Sequence, residues 1–149
     1  MARVLGLDWG TRRIGVAISD EERRFAVGLA IWPGDASEYL PLLKNTLSEE
    51  DISLIVIGLP LTLQGSEGES AQAVRKFADI VRELGVEVTF ADERFTSFQA
   101  SRSLSQVGIN QKKQRGKLDM AAAVLLLQSF LDEQVNSDRR DLDGHGGKV

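Results

Sequence analysis

The sequence predicts an α/β fold: a five-stranded mixed sheet, three antiparallel strands then two parallel ones, flanked by helices. Three observations carry this. Short β-compatible runs at Arg3 to Leu7, Ile14 to Ser19 and Phe25 to Ile31 are joined by connections short enough to make them antiparallel neighbours. Two later apolar runs, Ser53 to Gly58 and Val86 to Ala91, alternate with segments of helical spacing, the pattern of parallel strands joined by crossovers. The stretch Lys117 to Val135, rich in Ala and Leu, then gives the strongest helix signal in the chain.

The elements follow in order. The first strand leads into Asp8 and a connection containing Gly10, after which the second strand begins at once. The charged turn Asp20-Glu21-Glu22-Arg23-Arg24 separates the second strand from the third, and Trp32-Pro33-Gly34-Asp35 breaks the β pattern. Ser37 to Glu50 is a helix with Tyr39/Leu40, Leu43 and Leu47 at helical spacing. Ser53 to Gly58 is almost wholly apolar, as a central strand covered on both faces requires. The loop Leu59 to Gly68, punctuated by Pro60, Gly65 and Gly68, follows a parallel strand, a position where loops often line a site. Ser70 to Leu84 puts Ala73, Val74, Phe77, Ile80, Val81 and Leu84 on one helical face and stops at Gly85. After the fifth strand comes Asp92-Glu93-Arg94; Thr96 to Val107 reads as a helix capped by Thr96 or Ser97, and Gly108 to Gly116 as irregular chain. No internal repeat or linker interrupts this order, so one domain is expected over residues 1–135, with a flexible polar tail over 136–149.

Composition narrows the function. At 149 residues the chain is long enough for one sizeable core but too short for two nucleotide-binding lobes. No apolar run approaches the roughly 20 residues that a membrane helix needs, and no secretory signal is visible. The absence of cysteine excludes disulfides, thiolate zinc sites and a cysteine nucleophile, and fits a cytoplasmic protein. The single histidine, His145, lies in the glycine-rich tail, so a metal would be held mainly by oxygen ligands. The net charge of -4 conceals a block over residues 94–117 in which Arg94, Arg102, Lys112, Lys113, Arg115 and Lys117 meet no acidic residue. Such a block is either a solvated loop or a surface that steers polyanions.

Three carboxylates stand at element ends: Asp8 after the first strand, Glu93 after the last, and Asp119 in the first turn of the closing helix. If the first strand is central, the sheet brings two of them to one edge and the helix can supply the third. Clustered carboxylates repel unless protons or a cation intervene, and hard oxygen ligands suit Mg²⁺ or Mn²⁺. Each residue also has a reading without chemistry. Asp-x-Gly is a common hairpin device, Asp119 can complement the helix dipole, and Glu93 can be a solvated charge or a partner for Arg94. Asp92, one residue away on the opposite face, is an alternative ligand.

The combination Leu5-Gly6-Leu7-Asp8-x-Gly10-Thr11-x-Arg13-Ile14-Gly15-Val16-Ala17, Ile55-Val56-Ile57-Gly58-Leu59-Pro60, Gly65-Ser66-Glu67-Gly68, Asp92-Glu93-Arg94 and Asp119-x-Ala121-Ala122 resembles the YqgF/RuvX family of bacterial RNase H-like nucleases. The resemblance spans about residues 3 to 132, and the usual Leu-Thr-Thr after Asp-Glu-Arg is here Phe95-Thr96-Ser97. It implies an RNase H-like fold with Asp8, Glu93 and Asp119 as the acidic site. It also implies a nuclease that matures the 5′ end of pre-16S ribosomal RNA, members having earlier been assigned as Holliday junction resolvases.

On this reading Asp8, Glu93 and Asp119 hold one or two Mg²⁺ or Mn²⁺ ions for phosphodiester hydrolysis. Arg12, Arg13, Arg94, Lys112, Lys113, Arg115 and Lys117 contact the phosphates of a nucleic acid, pre-rRNA or branched DNA, and the protein is a monomer or weak homodimer away from membranes. Two other classes fit parts of the sequence. Asp8-x-Gly10-Thr11 resembles the phosphate loop of actin-like and sugar kinases, which need two lobes. An RNA-binding or transcription-linked protein without catalysis would not need all three carboxylates.

Overall fold

Apolar alternation over the first 33 residues becomes three consecutive strands in the computed structural model, which describes residues 2–62, 64–93 and 120–136. They are β1 (Arg3–Trp9), β2 (Arg13–Ser19) and β3 (Ala26–Pro33). Helix α1 (Ala36–Glu49), strand β4 (Ile52–Leu59), helix α2 (Glu69–Arg82) and strand β5 (Glu87–Asp92) follow. A closing helix occupies 120–136. The sheet order is β3-β2-β1-β4-β5, with antiparallel pairing from β3 to β1 and parallel pairing from β1 to β5. The five-stranded mixed sheet with a central first strand is therefore as the sequence predicts.

The element ends differ in instructive ways. Strand β1 runs through Asp8 to Trp9, so Asp8 is held in the ladder opposite Gly15 rather than beyond the strand. Strand β3 continues through Trp32 to Pro33, where the sequence predicts a break. As an edge strand it loses no ladder bond to the missing proline N–H, and Trp32 gains burial opposite Ile14. Asp35 caps α1, its carboxylate accepting from the Ser37 amide at 3.1 Å, so that helix begins one residue early. Helix α2 starts at Glu69 after Gly68 and gives way to Gly85, whose φ of 84° only glycine adopts cheaply.

Alternation along the strands divides the core into two layers. Leu5, Leu7, Ile14, Val16, Ile55 and Ile57 pack under α1 and α2 with Tyr39, Leu43, Val74 and Phe77. Val4, Ala17 and Val56 point the other way, onto Ala123, Leu127 and Leu131 of the closing helix. Each large side chain so buried contributes about 1.5–3 kcal/mol. The closing helix sits low on its face because glycines lie beneath it. A Cβ on Gly6 would come 2.9 Å from Leu127 Cβ, and one on Gly28 would come 2.4 Å from Met120 Sδ. Gln128 fastens this helix to the start of β3, accepting from the Ala26 amide at 2.9 Å and donating to the Arg24 carbonyl at 2.8 Å. No described helix is long and apolar enough to cross a membrane.

Candidate functional site

Asp8 shares its face of β1 with Gly6, two residues back, and so lies on the layer covered by the closing helix. The turn that follows is rigid. The Gly10 amide donates to the Arg13 carbonyl at 2.9 Å, and the Gly34 amide donates to the Arg12 carbonyl at 2.9 Å. Thr11 and Arg12 are exposed on this turn, and Arg13 opens β2.

Glu93 follows β5 directly. Its side chain lies across Gly58 of β4: a Cβ built there would be 2.5 Å from Glu93 Oε1, 2.7 Å from Cγ and 2.8 Å from Cδ. From this position Glu93 hydrogen-bonds the carboxyl of Asp8. Burial pushes the Asp8 pKa up to about 9, aided by that hydrogen bond and by the charge of Glu93. Two carboxylates this close cannot both carry charge without compensation, so a proton stays on the pair unless a cation replaces it.

The structure thus brings together two of the three predicted site carboxylates. Asp119 lies outside the described residues, and so do Arg94, Arg102, Lys112, Lys113, Arg115, Lys117, His145 and the helix predicted over 96–107. Among the described residues no group of three or more potential ligands is assembled, so Asp8 and Glu93 form a pair that a third donor would have to complete. Asp92 is placed differently from Glu93. It lines a cavity of about 400 Å³ between β5 and the closing helix, with Leu126, Ser129, Phe130 and Glu133.

Two neighbours of the pair carry no role in the sequence reading, although Gly58 stands in one of its motifs. Gly58 looks like a simple interruption of an apolar run, and its use becomes visible only when Glu93 is placed over it. Trp9 lines a cavity of about 510 Å³ with Thr11, Pro60, Ser70, Ala73 and Glu93. It is held against Phe77 with ring centroids 5.9 Å apart, and Phe77 meets Tyr39 edge-on at 5.3 Å. The long, glycine- and proline-punctuated loop after β4 closes on itself. Leu61 bridges Glu67, the Thr62 amide donates to the Ser66 carbonyl at 2.8 Å, and Glu67 pairs with Arg75 of α2. Pro60 is thereby fixed at the rim of the Trp9 cavity.

Comparison with known proteins identifies the family and the fold. The model of a family described as "RuvX: Holliday junction resolvase" matches residues 2–133. A protein of Endomicrobium trichonymphae named "Putative pre-16S rRNA nuclease" is 40% identical over 142 residues, covering 90% of this chain and 98% of that one. A protein of the same name from Dictyoglomus thermophilum is 38% identical over 132 residues, covering 87% and 95%. Among solved structures, the Fowlpox virus resolvase with substrate Holliday junction DNA superposes with a TM-score of 0.55 at 13% identity, covering 89% of this chain and 98% of that one. At that identity the likeness concerns the fold, which is RNase H-like. With its motifs, strand order and nearly full-length matches in agreement, the chain belongs to the RuvX family.

Proposed function

We propose that this protein is a metal-dependent nuclease that hydrolyses phosphodiester bonds in the 5′-end processing of pre-16S rRNA. The observation that carries the reading is the Asp8–Glu93 pair, two carboxyls pressed together at one end of the sheet with Asp8 pushed up to about 9. The names of relatives 38–40% identical over most of their length support the substrate. The pair fits a hard divalent cation: it supplies oxygen donors only, and it is short of positive charge. Asp8 and Glu93, with Asp119 as third donor, would hold Mg²⁺ or Mn²⁺. Such an ion, when bound, polarises a phosphate and lowers the pKa of water.

The chain's own groups supply the rest. Asp8 and Glu93 keep a proton between them in the absence of a cation and give it up when one binds. Arg12 and Arg13, on the turn after Asp8, contact phosphates beside the scissile bond, and Arg94, Lys112, Lys113, Arg115 and Lys117 contact flanking phosphates. The setting is a cytoplasmic one, where ribosomal RNA is matured.

A second reading, resolution of branched DNA, is supported by the family description and by the fold shared with the viral resolvase. The test is cleavage of a precursor rRNA leader and of a four-way DNA junction by the same preparation, with Mg²⁺ or Mn²⁺. Faster cleavage of the leader is expected; preferred cleavage of the junction would favour the second reading, and no cleavage of either would overturn both.

A further inference from the structure

The geometry points to Gly58 as a positioning residue that sets where the Glu93 carboxyl sits, an inference that rests on Asp8 and Glu93 being the cation-binding pair. Strands β1 and β5 are not neighbours, because β4 lies between them. At a strand spacing of about 4.8 Å, their backbones are roughly 9–10 Å apart. The two carboxyls can meet only if one side chain crosses β4. Leu7 is paired with Ile57, so Asp8 and Gly58 stand one residue further along adjacent parallel strands. On the other side of β4, Gly58 is paired with Ala91, two residues before Glu93. Gly58 therefore lies on the line between the carboxyls, and it offers no side chain to block it.

The fit is close. Three atoms of Glu93, Cγ, Cδ and Oε1, occupy the space within 2.5–2.8 Å of where a Cβ at residue 58 would be. Cγ is near the root of the side chain, so Glu93 cannot clear a methyl group by turning its carboxyl alone. It must leave the crossing. Glycine inside a strand is otherwise unfavourable, and every neighbour of Gly58 from Ile55 to Leu59 is a large apolar residue buried in the sheet. The three heavy atoms nearest the missing Cβ all belong to Glu93, so the first group that a side chain at residue 58 displaces is the Glu93 side chain.

The test is a cycle of four proteins: wild type, Gly58→Ala, Glu93→Ala and the double variant. Mn²⁺ affinity by calorimetry and melting temperature in EDTA are measured for each. Gly58→Ala is expected to bind Mn²⁺ at least tenfold more weakly than wild type. With Glu93 already truncated, adding Gly58→Ala is expected to change neither Mn²⁺ affinity nor melting temperature for the worse. Wild-type Mn²⁺ affinity in Gly58→Ala overturns the inference, and so does an equal fall in melting temperature from Gly58→Ala with and without the Glu93 side chain, which would mark a packing role. If wild type itself takes up no Mn²⁺, the cation reading fails, and the melting temperatures alone decide whether Gly58 acts through Glu93.

Discussion

Asp8 and Glu93 hydrogen-bond through their carboxyl groups although β1, which carries Asp8, and β5, which Glu93 directly follows, are separated by β4. The contact joins the first and last strands of the sheet across the face that carries the closing helix. It also stores unfavourable energy, since burial and the neighbouring Glu93 oppose the ionisation of Asp8. Sites that give up stability in this way are commonly those used for chemistry.

Replacing Asp8 with Asn should stabilise the metal-free protein. The amide keeps the shape, donates to Glu93 and removes the cost of keeping Asp8 protonated well above its unfolded pKa. At pH 8 in EDTA a gain on the order of 2 kcal/mol is expected, a rise of about 4–8 °C in melting temperature, readable by calorimetry. An unchanged or lower melting temperature would show that the pair is not strained.

The same pair fixes the sign of a pH dependence. The Asp8 pKa is raised from 3.8 to about 9 on folding, so between these values the folded state holds the proton and the unfolded state does not. Stability from this group is then greatest at low pH, falls as pH rises through that window, and is flat above it. Metal-free wild type should lose more melting temperature between pH 5 and pH 8.5 than Asp8→Asn does. Parallel curves for the two proteins would refute the assignment.

Cation uptake should release a proton for the same reason. Mn²⁺ titrations in buffers of different ionisation enthalpy should report up to about one proton released near neutral pH, and affinity should rise up to about tenfold per pH unit below the Asp8 pKa. Affinity independent of pH between 6 and 8 would contradict a protonated pair.

Arg12 is exposed on the turn beside Asp8. Arg12→Ala should weaken RNA binding without changing the melting temperature. It should also reduce the slope of log affinity against log salt by roughly 0.7–0.9, the value of one lost phosphate contact. The triple neutralisation of Lys112, Lys113 and Arg115 should reduce it by up to about 2–3. Unchanged slopes would make both segments solvated surface.

The seating of the closing helix is testable apart from chemistry. Gly6→Ala places a methyl 2.9 Å from Leu127 Cβ, an atom fixed to the helix backbone, so the helix itself must move. A loss of about 1–3 kcal/mol is expected in denaturant melts. No loss would mean that the helix is not tightly seated over β1.

How far the sequence was legible depends on the range of the determining contacts. Strand order follows from short connections and apolar runs, and local patterns are enough to place Asp8 and Glu93 at strand ends. What β3 does at Trp32 and Pro33 is not legible in this way, because an edge position, a tertiary property, makes Pro33 harmless there. The fold of the loop after β4 was hidden in hydroxyl and carbonyl bonds between Thr62 and Ser66 that no periodicity announces. Gly58 was hidden for a different reason. Its meaning lies in the register of β4 against both neighbours, and only that register shows which side chain needs its empty space.

The central claim is that the Asp8–Glu93 pair is the catalytic centre of a metal-dependent nuclease. Its most direct test is the initial rate of precursor rRNA leader cleavage in Mg²⁺ by wild type and by Asp8→Asn, purified identically. The account predicts cleavage by wild type that EDTA abolishes, and a rate at least 10²-fold lower for a folded Asp8→Asn. Equal rates for the two proteins would contradict it.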